Sequence, residues 1–248
     1  MPDEHSSTDL RARSTAWAVH LFTATGVVFA LLAMVAVLEH RWTTAMLWLF
    51  AAFIVDGVDG TFARIARVNE VAPRIDGAAL DLVTDYLTYV FIPAFFILEA
   101  RLLPVPLALP LAALILVSSL YVFARRDMKT DDGYFRGFPA LWNLVALYLY
   151  AAGLGETASA AVVAVLIVLT FAPVHVVHPL RVRDYGCWLA TIASVWAGST
   201  VALLMPQLGS TGRSVLLAIS AATALLLIAM GLLRTVRGRR LAETTLAP

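Results

Sequence analysis

Long apolar runs dominate this chain and restrict what it can fold into. A helix needs about 17 to 25 mostly apolar residues to cross a bilayer. Eight runs approach or reach this length, at 16–38, 43–63, 78–100, 104–123, 139–153, 158–174, 187–205 and 214–233. The sequence therefore predicts an all-α, polytopic membrane helical bundle with about eight transmembrane helices. We expect one transmembrane domain over 16–233, flanked by an N-terminal segment (1–15) and a basic tail (234–248).

The composition agrees with a membrane protein and argues against other classes. Hydrophobic residues make up 60% of the chain and charged residues 14%, whereas soluble domains are about half apolar and about a quarter charged. The net charge of only +1 argues against nucleic acid as a partner. A single cysteine, Cys187, excludes a disulfide within the chain.

The distribution of positive charge predicts the orientation of the helices. With the N-terminus in the cytoplasm, fifteen of the eighteen Lys and Arg residues fall in cytoplasmic segments, and only Arg41, Arg101 and Arg213 fall on the other side. Cytoplasmic loops of membrane proteins carry such an excess. Both termini are therefore predicted to be cytoplasmic. The same holds for the end of the second span and the start of the third.

Four aspartates lie where those two spans are joined, in the stretches "DGVDGTFAR" (56–64) and "GAALDLVTD" (77–85). Their spacing places each pair on one face of a helix. The first face carries Asp56, Asp59, Gly60 and Ala63, and the second carries Gly77, Asp81 and Asp85. Because the two spans are joined by a short loop and must pack antiparallel, we expect the two acidic faces to meet.

Converging carboxylates indicate a cation site. Each intramembrane charge costs about 2.5–3.5 kcal/mol on insertion scales, and like charges repel unless cations lie between them. Hard cations such as Mg²⁺ and Mn²⁺ prefer oxygen ligands. The small residues on these faces let phosphates approach the backbone, and Arg64 is placed to contact a phosphate. The alternatives are structural hydrogen bonding and an ion pathway in a cation-coupled transporter.

The same residues resemble the signature of the CDP-alcohol phosphotransferases, with twelve residues between Arg64 and Gly77, a few more than the general family pattern. Three further stretches resemble the bacterial phosphatidylcholine synthase branch of that family: "DYLTYVFIPAFF" (85–96), "TDDGYFRGFPALWNLVALYLY" (130–150) and "VHPLRVRDYG" (177–186). Together the matches cover roughly residues 45 to 190. The family core has six helices, and the eight predicted spans fit this branch as that core plus two further helices.

The resemblance implies an enzyme of the inner bacterial membrane, with its active site at the cytoplasmic side. It implies transfer of the phosphatidyl group of CDP-diacylglycerol to choline, release of CMP, and dependence on Mn²⁺ or Mg²⁺, as two ions. It also implies membrane lipids as partners and a homodimer. By the family pattern, Asp85 is both metal ligand and general base. The other implied metal ligands are Asp56, Asp59 and Asp81, and the implied cytidine diphosphate contacts are Asp56, Gly60, Ala63, Arg64 and Gly77.

The acceptor alcohol is less strongly indicated. A quaternary ammonium has no hydrogen-bond donor, so aromatic faces must recognise it. The candidates are Tyr89, Trp142 with its neighbour Asn143, and Phe135, although aromatic residues also serve as interfacial anchors. Serine, inositol or glycerol phosphate is the alternative acceptor. An anionic acceptor would need inward Arg or Lys residues, and the predicted spans offer none beyond Arg64, which favours choline.

Overall fold

The structure is a computed structural model that describes residues 4–179, 182, 184–205 and 208–246, with side chains over 10–179, 182, 184–205 and 208–238. The chain forms two compact units, Met1–Ala100 and Arg101–Pro248. Four of the arginines that were predicted to be cytoplasmic cannot be located by their side chains. Arg181 and Arg183 lie outside the described residues, and so do the side chains of Arg239 and Arg240.

Every element of regular secondary structure in the described part of the first unit is helical. Its elements are α1 (Glu4–Leu38), α2 (Trp42–Ile65), α3 (Val68–Val71), α4 (Gly77–Asp85), a π-helical segment (Tyr86–Phe91) and α5 (Ile92–Glu99). Helix α1 packs along α2 and also contacts α4, the π-helical segment and α5. Both aspartate-bearing helices therefore pack against α1.

The second unit combines helices with a small β-ribbon. Its helices are α6 (Val105–Ala124), α7 (Trp142–Ala152), α8 (Glu156–Thr170), α9 (Cys187–Leu203) and α10 (Ser210–Leu246). Strands β1 (Tyr134–Arg136) and β2 (His175–Val177) pair antiparallel. Helix α10 packs against α9 and β2, and α6 packs against α8.

The predicted fold class, a polytopic membrane helical bundle, is confirmed. Within the part of the chain that the structure describes, five stretches are long and apolar enough to cross a membrane: Leu10–Leu38, Trp42–Ile65, Gly77–Glu99, Val105–Ala124 and Ser210–Gly238. The other three predicted spans correspond to the shorter apolar helices α7, α8 and α9. The fifth predicted span, 139–153, is shorter than expected. Helix α7 begins only at Trp142 and ends at Ala152, and the next residue, Gly153, adopts a left-handed conformation that terminates it.

The connection between α2 and α4 is packed rather than free. Arg67 adopts a left-handed conformation (φ 48°) and separates α2 from α3. Val68 and Ala72 are then buried against Ala16 of α1. The Asp76 carboxylate accepts hydrogen bonds from the backbone N–H groups of residues 78 and 79 at 3.0 and 3.1 Å. This N-cap fixes the start of α4 and so the position of its aspartates.

The third predicted span is not one regular helix, because a π-helical segment begins directly after Asp85. The Ile92 N–H donates to the carbonyl of Leu87, five residues back. Pro93 explains the widening, since proline has no N–H and its ring clashes with the carbonyl four residues earlier in an α-helix. Such π-helical turns are frequent at functional sites. Here the turn carries Tyr89 beside the aspartates.

Candidate functional site

The structure brings three of the four predicted aspartates together. One carboxylate oxygen each from Asp56 of α2 and from Asp81 and Asp85 of α4 lies within 4.8 Å of the others. Oxygens bound to one Mg²⁺ or Ca²⁺ are about 2.0–2.6 Å from the ion, and hence no more than about 4–5 Å from each other. The separation therefore fits shared ligation of a divalent cation.

The fourth aspartate, Asp59, lies next to this group and not within it. Asp59 is 6% exposed, and its side chain lies beside Thr23 of α1. The predicted role of Asp59 as a metal ligand stays a prediction, and Thr23 is a neighbour that the sequence pattern did not indicate.

A tyrosine from the π-helical segment holds the first aspartate. The Tyr89 hydroxyl donates to Asp56 Oδ2 at 2.6 Å, and the Tyr89 ring packs against Phe53 with the ring centroids 5.9 Å apart. Tyr89 is buried. The residue singled out as a choline contact therefore also orients a carboxylate of the candidate metal site.

The third aspartate has one oxygen that is left without a partner in the part of the chain that the structure describes. Asp85 Oδ1 is buried without a hydrogen-bond partner among the described residues. Buried polar atoms are nearly always hydrogen-bonded, and two like charges 4 Å apart repel by about 4 kcal/mol at an effective dielectric constant of about 20. A cluster of oxygen donors with an orphaned carboxylate oxygen fits a hard divalent cation.

The predicted phosphate-binding residues follow the aspartates along α2. Arg64 is exposed, and its Nη2 donates to Thr61 Oγ1 at 2.9 Å. A Cβ atom added to Gly60 would lie 3.6 Å from Arg64 Nη1, so the guanidinium group extends over this glycine. Ala63 is partly buried and packs against the cluster formed by α1 and α3. One face of α2 thus presents a carboxylate, a glycine and a guanidinium group in succession.

Helix α1 also lines the site, beside α2 and α4, and the sequence pattern did not predict this. A Cβ atom added to Gly77 would lie 3.3 Å from Cε1 of His20, and His20 is buried in α1. A Cβ atom at Gly26 would lie 2.5 Å from Thr84 Cγ2, so α1 and α4 approach closely there. A histidine inside an apolar span is itself a signal of function, and it could have identified this wall.

The remaining choline candidates lie in the second unit. Trp142 is fully buried, and its indole N–H donates to Ser119 Oγ at 2.8 Å. Asn143 is buried and accepts a hydrogen bond from the N–H of the next residue. Phe135 stacks on the His178 ring with centroids 5.2 Å apart and also lies under Lys129 Nζ. Their role in choline binding stays a prediction.

Fold and site together define a polytopic membrane protein with a carboxylate centre suited to divalent cations and phosphates. The sequence profile of the CDP-alcohol phosphatidyltransferases matches residues 18–196. The chain belongs to this family, as the sequence resemblance predicted.

The relatives are similar over most of their length. The chain is 44% identical to the phosphatidylcholine synthase of Pseudomonas aeruginosa over 207 residues, which covers 84% of this chain and 87% of the relative. It is 46% identical to the phosphatidylcholine synthase of Bradyrhizobium diazoefficiens over 187 residues, which covers 75% of this chain and 69% of the relative. It is 40% identical to that of Agrobacterium fabrum over 195 residues, covering 78% and 81%.

Proposed function

We propose that this protein transfers the phosphatidyl group of CDP-diacylglycerol to choline and releases CMP. The observation that carries the proposal is the convergence of Asp56, Asp81 and Asp85 within 4.8 Å. They stand in the family's motif, in a chain 44% identical to a phosphatidylcholine synthase. The neighbouring glycines and Arg64 supply space and charge for a diphosphate.

The carboxylates are suited to hold the cofactor that the family requires. Mn²⁺ or Mg²⁺, as two ions by the family pattern, would be held by Asp56, Asp59, Asp81 and Asp85. When bound, such ions offset the charge of the diphosphate and the charge that develops on the leaving oxygen. Tyr89 keeps Asp56 oriented through its 2.6 Å hydrogen bond.

Asp85 is the proposed general base. Its carboxylate lies in the cluster of converging acids, and we assign to this residue the role of receiving the proton of the choline hydroxyl, as the family pattern implies. As the proton moves to Asp85, the choline oxygen forms a bond to the β-phosphorus. The bond from that phosphorus to the bridging oxygen breaks, and CMP leaves with the electron pair. Proton removal in the transition state contributes about 10²–10⁴-fold to such reactions.

The membrane arrangement follows from the charge distribution and the apolar helices. We place the active site at the cytoplasmic surface of the inner membrane, with both termini cytoplasmic, because most of the chain's Lys and Arg residues fall on that side. The acyl chains of the donor would then stay in the bilayer among membrane lipids. Formation of a homodimer, expected from the family, stays a prediction.

The choline pocket is proposed to use the Tyr89 ring, with Trp142, Asn143 and Phe135 as further candidates. Two Tyr89 variants separate recognition of choline from support of Asp56. Tyr89→Phe keeps the aromatic face and removes the hydrogen bond, so we expect a lower kcat with a normal KM for choline. Tyr89→Ala also removes the ring and should raise that KM about tenfold, within the range of cation–π energies. Equal KM effects of both variants on donor and choline would remove Tyr89 from the pocket.

One assay tests the proposed function against its alternatives. Purified protein is given CDP-diacylglycerol, Mn²⁺ or Mg²⁺, and choline, serine, inositol or glycerol phosphate in turn, while CMP is measured. CMP release with choline alone supports the proposal. Release only with another alcohol would assign a sister reaction of the family. Substrate flux across a vesicle without CMP release would indicate a cation-coupled transporter.

A further inference from the structure

His20 is a buried polar residue whose position the carboxylate chemistry does not explain. It is 6% exposed, in the middle of an apolar stretch of α1. Its Nε2 atom is buried without a hydrogen-bond partner among the described residues. Its ring meets Trp17 edge-on, with centroids 6.3 Å apart, and Cε1 lies 3.3 Å from where a Cβ of Gly77 would be.

A purely structural role accounts poorly for this histidine. An imidazole nitrogen that is taken out of water and given no partner lowers stability, whereas an apolar side chain of similar size would not. Buried polar atoms without partners call for a specific explanation. The absence of a side chain at Gly77 lets the ring lie directly against the start of α4, since a Cβ there would be only 3.3 Å from Cε1. A bound ligand that reaches this position would supply the partner that Nε2 lacks among the described residues.

The position along the helices indicates which part of the donor is near. Gly77 precedes Asp81 by four residues, which is about 6 Å along a helix. On α1, His20 lies between Ala16, which packs on the α3 connection, and Thr23, which lies beside Asp59. His20 is therefore about one turn from the carboxylates, towards the α2–α4 connection on the predicted cytoplasmic side. A diphosphate held at the carboxylates, with its acyl chains in the bilayer, would extend its nucleoside in this direction.

We infer that His20 belongs to the donor site and hydrogen-bonds through Nε2 to a polar group of the donor's nucleoside. The inference rests on the proposed function in one respect, that the donor is CDP-linked. His20 thus recognises the nucleotide from α1, while α2 and α4 hold the diphosphate.

The test compares three variants by ligand binding and by kinetics. His20→Leu fills the space without a polar atom, and His20→Gln can place an amide nitrogen near the position of Nε2. Ser159→Ala is the matched control, because Ser159 Oγ in α8 is also buried without a hydrogen-bond partner among the described residues. Binding of CMP and of inorganic pyrophosphate is measured by calorimetry in the presence of Mn²⁺. The melting temperature and the KM for CDP-diacylglycerol are measured alongside.

We expect His20→Leu to raise the Kd for CMP and the KM for CDP-diacylglycerol about tenfold, the cost of one hydrogen bond. Its kcat should change less than about twofold, its pyrophosphate binding should be unchanged, and its melting temperature should not fall. His20→Gln should recover most of the CMP affinity, and Ser159→Ala should leave all ligand constants unchanged. An unchanged Kd for CMP in His20→Leu would overturn the inference. So would equal weakening of pyrophosphate binding, or no recovery with His20→Gln.

Failure of the proposed function gives a different pattern. If the wild-type protein binds CMP and His20→Leu weakens that binding, the inference stands even when choline does not serve as acceptor. If choline is the acceptor and His20→Leu has the same Kd for CMP as the wild type, only the inference fails.

Discussion

The acidic side chains of the two units have different surroundings. In Met1–Ala100, the carboxylates of Asp56, Asp81 and Asp85 converge on one another. In Arg101–Pro248, by contrast, two acidic side chains accept hydrogen bonds from donor side chains. Asp132 accepts a hydrogen bond from Arg234 Nε at 2.7 Å, and Asp184 accepts one from the Tyr134 hydroxyl at 2.8 Å. The second unit pairs these acids with donors, whereas in the first unit one oxygen of Asp85 has no hydrogen-bond partner among the described residues.

The charge state of the second unit follows from these pairings. Burial and the hydrogen bond to Asp184 raise the pKa of Tyr134, so its hydroxyl remains a donor. Burial also acts to raise the pKa of Asp132, but hydrogen bonds with Thr130 and Arg234 outweigh it, and the net pKa is lowered. Similar residue types thus serve structure in one unit and, by our proposal, catalysis in the other.

The largest predicted effect is a loss of activity when a converging acid of the first unit is replaced, but not when a hydrogen-bonded acid of the second unit is replaced. Asp85→Asn should lower kcat by about 10²–10⁴-fold, because an amide cannot accept the hydroxyl proton, while CMP binding is largely spared. Asp184→Asn is the matched control and should leave kcat within about threefold. Turnover is measured as CMP release with choline. Near-normal turnover of Asp85→Asn, or an equal loss in Asp184→Asn, would contradict the assignment.

Two glycines of α2, Gly57 and Gly60, can be replaced by alanine to test whether a ligand lies against this helix. The protein leaves room for a methyl group at both, since a Cβ at Gly57 meets nothing within 4 Å and one at Gly60 lies 3.6 Å from Arg64 Nη1. Alanine is favoured over glycine in a helix by about 1 kcal/mol, so neither variant should lose stability. We expect Gly60→Ala to raise the KM for CDP-diacylglycerol about tenfold, because the methyl group takes the space of the diphosphate.

Gly57→Ala is the control for this experiment and should keep the wild-type KM and kcat. Steady-state kinetics at saturating choline decide the outcome. A normal KM in Gly60→Ala, with its melting temperature unchanged, would show that the ligand does not approach this face of α2.

When divalent cations are removed, replacing an aspartate by asparagine should change the melting temperature in opposite directions in the two units. In EDTA, Asp85→Asn removes repulsion and should raise the melting temperature by a few degrees, since 1 kcal/mol corresponds to about 2–4 °C in a chain of this size. Asp132→Asn breaks a pair with Arg234 and should lower the melting temperature slightly, because partly exposed pairs contribute about 1 kcal/mol or less. Thermal unfolding in detergent measures both, and a lower melting temperature for Asp85→Asn would contradict the account.

Much of this organisation could be predicted from sequence, because it depends on length and local spacing. The apolar runs predicted the helices, and the intervals between Asp56, Asp59, Asp81 and Asp85 predicted two acidic faces. The structure brings three of these acids together. Such features need only the helical repeat and antiparallel packing of neighbouring helices.

The features that were missed depend on tertiary contacts or on one local exception. The placement of His20 and Thr23 beside the site requires knowledge of how α1 packs against α2 and α4. The π-helical segment has a local cause in Pro93, but the wider turn matters only because it brings Tyr89 to Asp56. The ribbon of β1 and β2 pairs residues about forty positions apart, beyond the reach of periodicity.

The smallest predicted effect is a pH dependence in the second unit. The pKa of Asp132 is lowered in the folded protein, so the carboxylate contributes stability above the ordinary carboxyl pKa of about 4. This contribution is lost as the pH falls through the lowered value. We expect the melting temperature of the wild type to fall more steeply below about pH 4 than that of Asp132→Asn. Parallel curves would show that the pair with Arg234 does not contribute.

Binding of Mn²⁺ shows whether the converging carboxylates form a cation site. The paramagnetic signal of free Mn²⁺ is titrated with purified wild-type protein, Asp81→Asn and Asp132→Asn in detergent, without lipid substrate. We predict binding by the wild type and by Asp132→Asn, and at least tenfold weaker binding by Asp81→Asn, which loses one of the three converging carboxylates. Equal affinity of Asp81→Asn and the wild type would contradict this prediction.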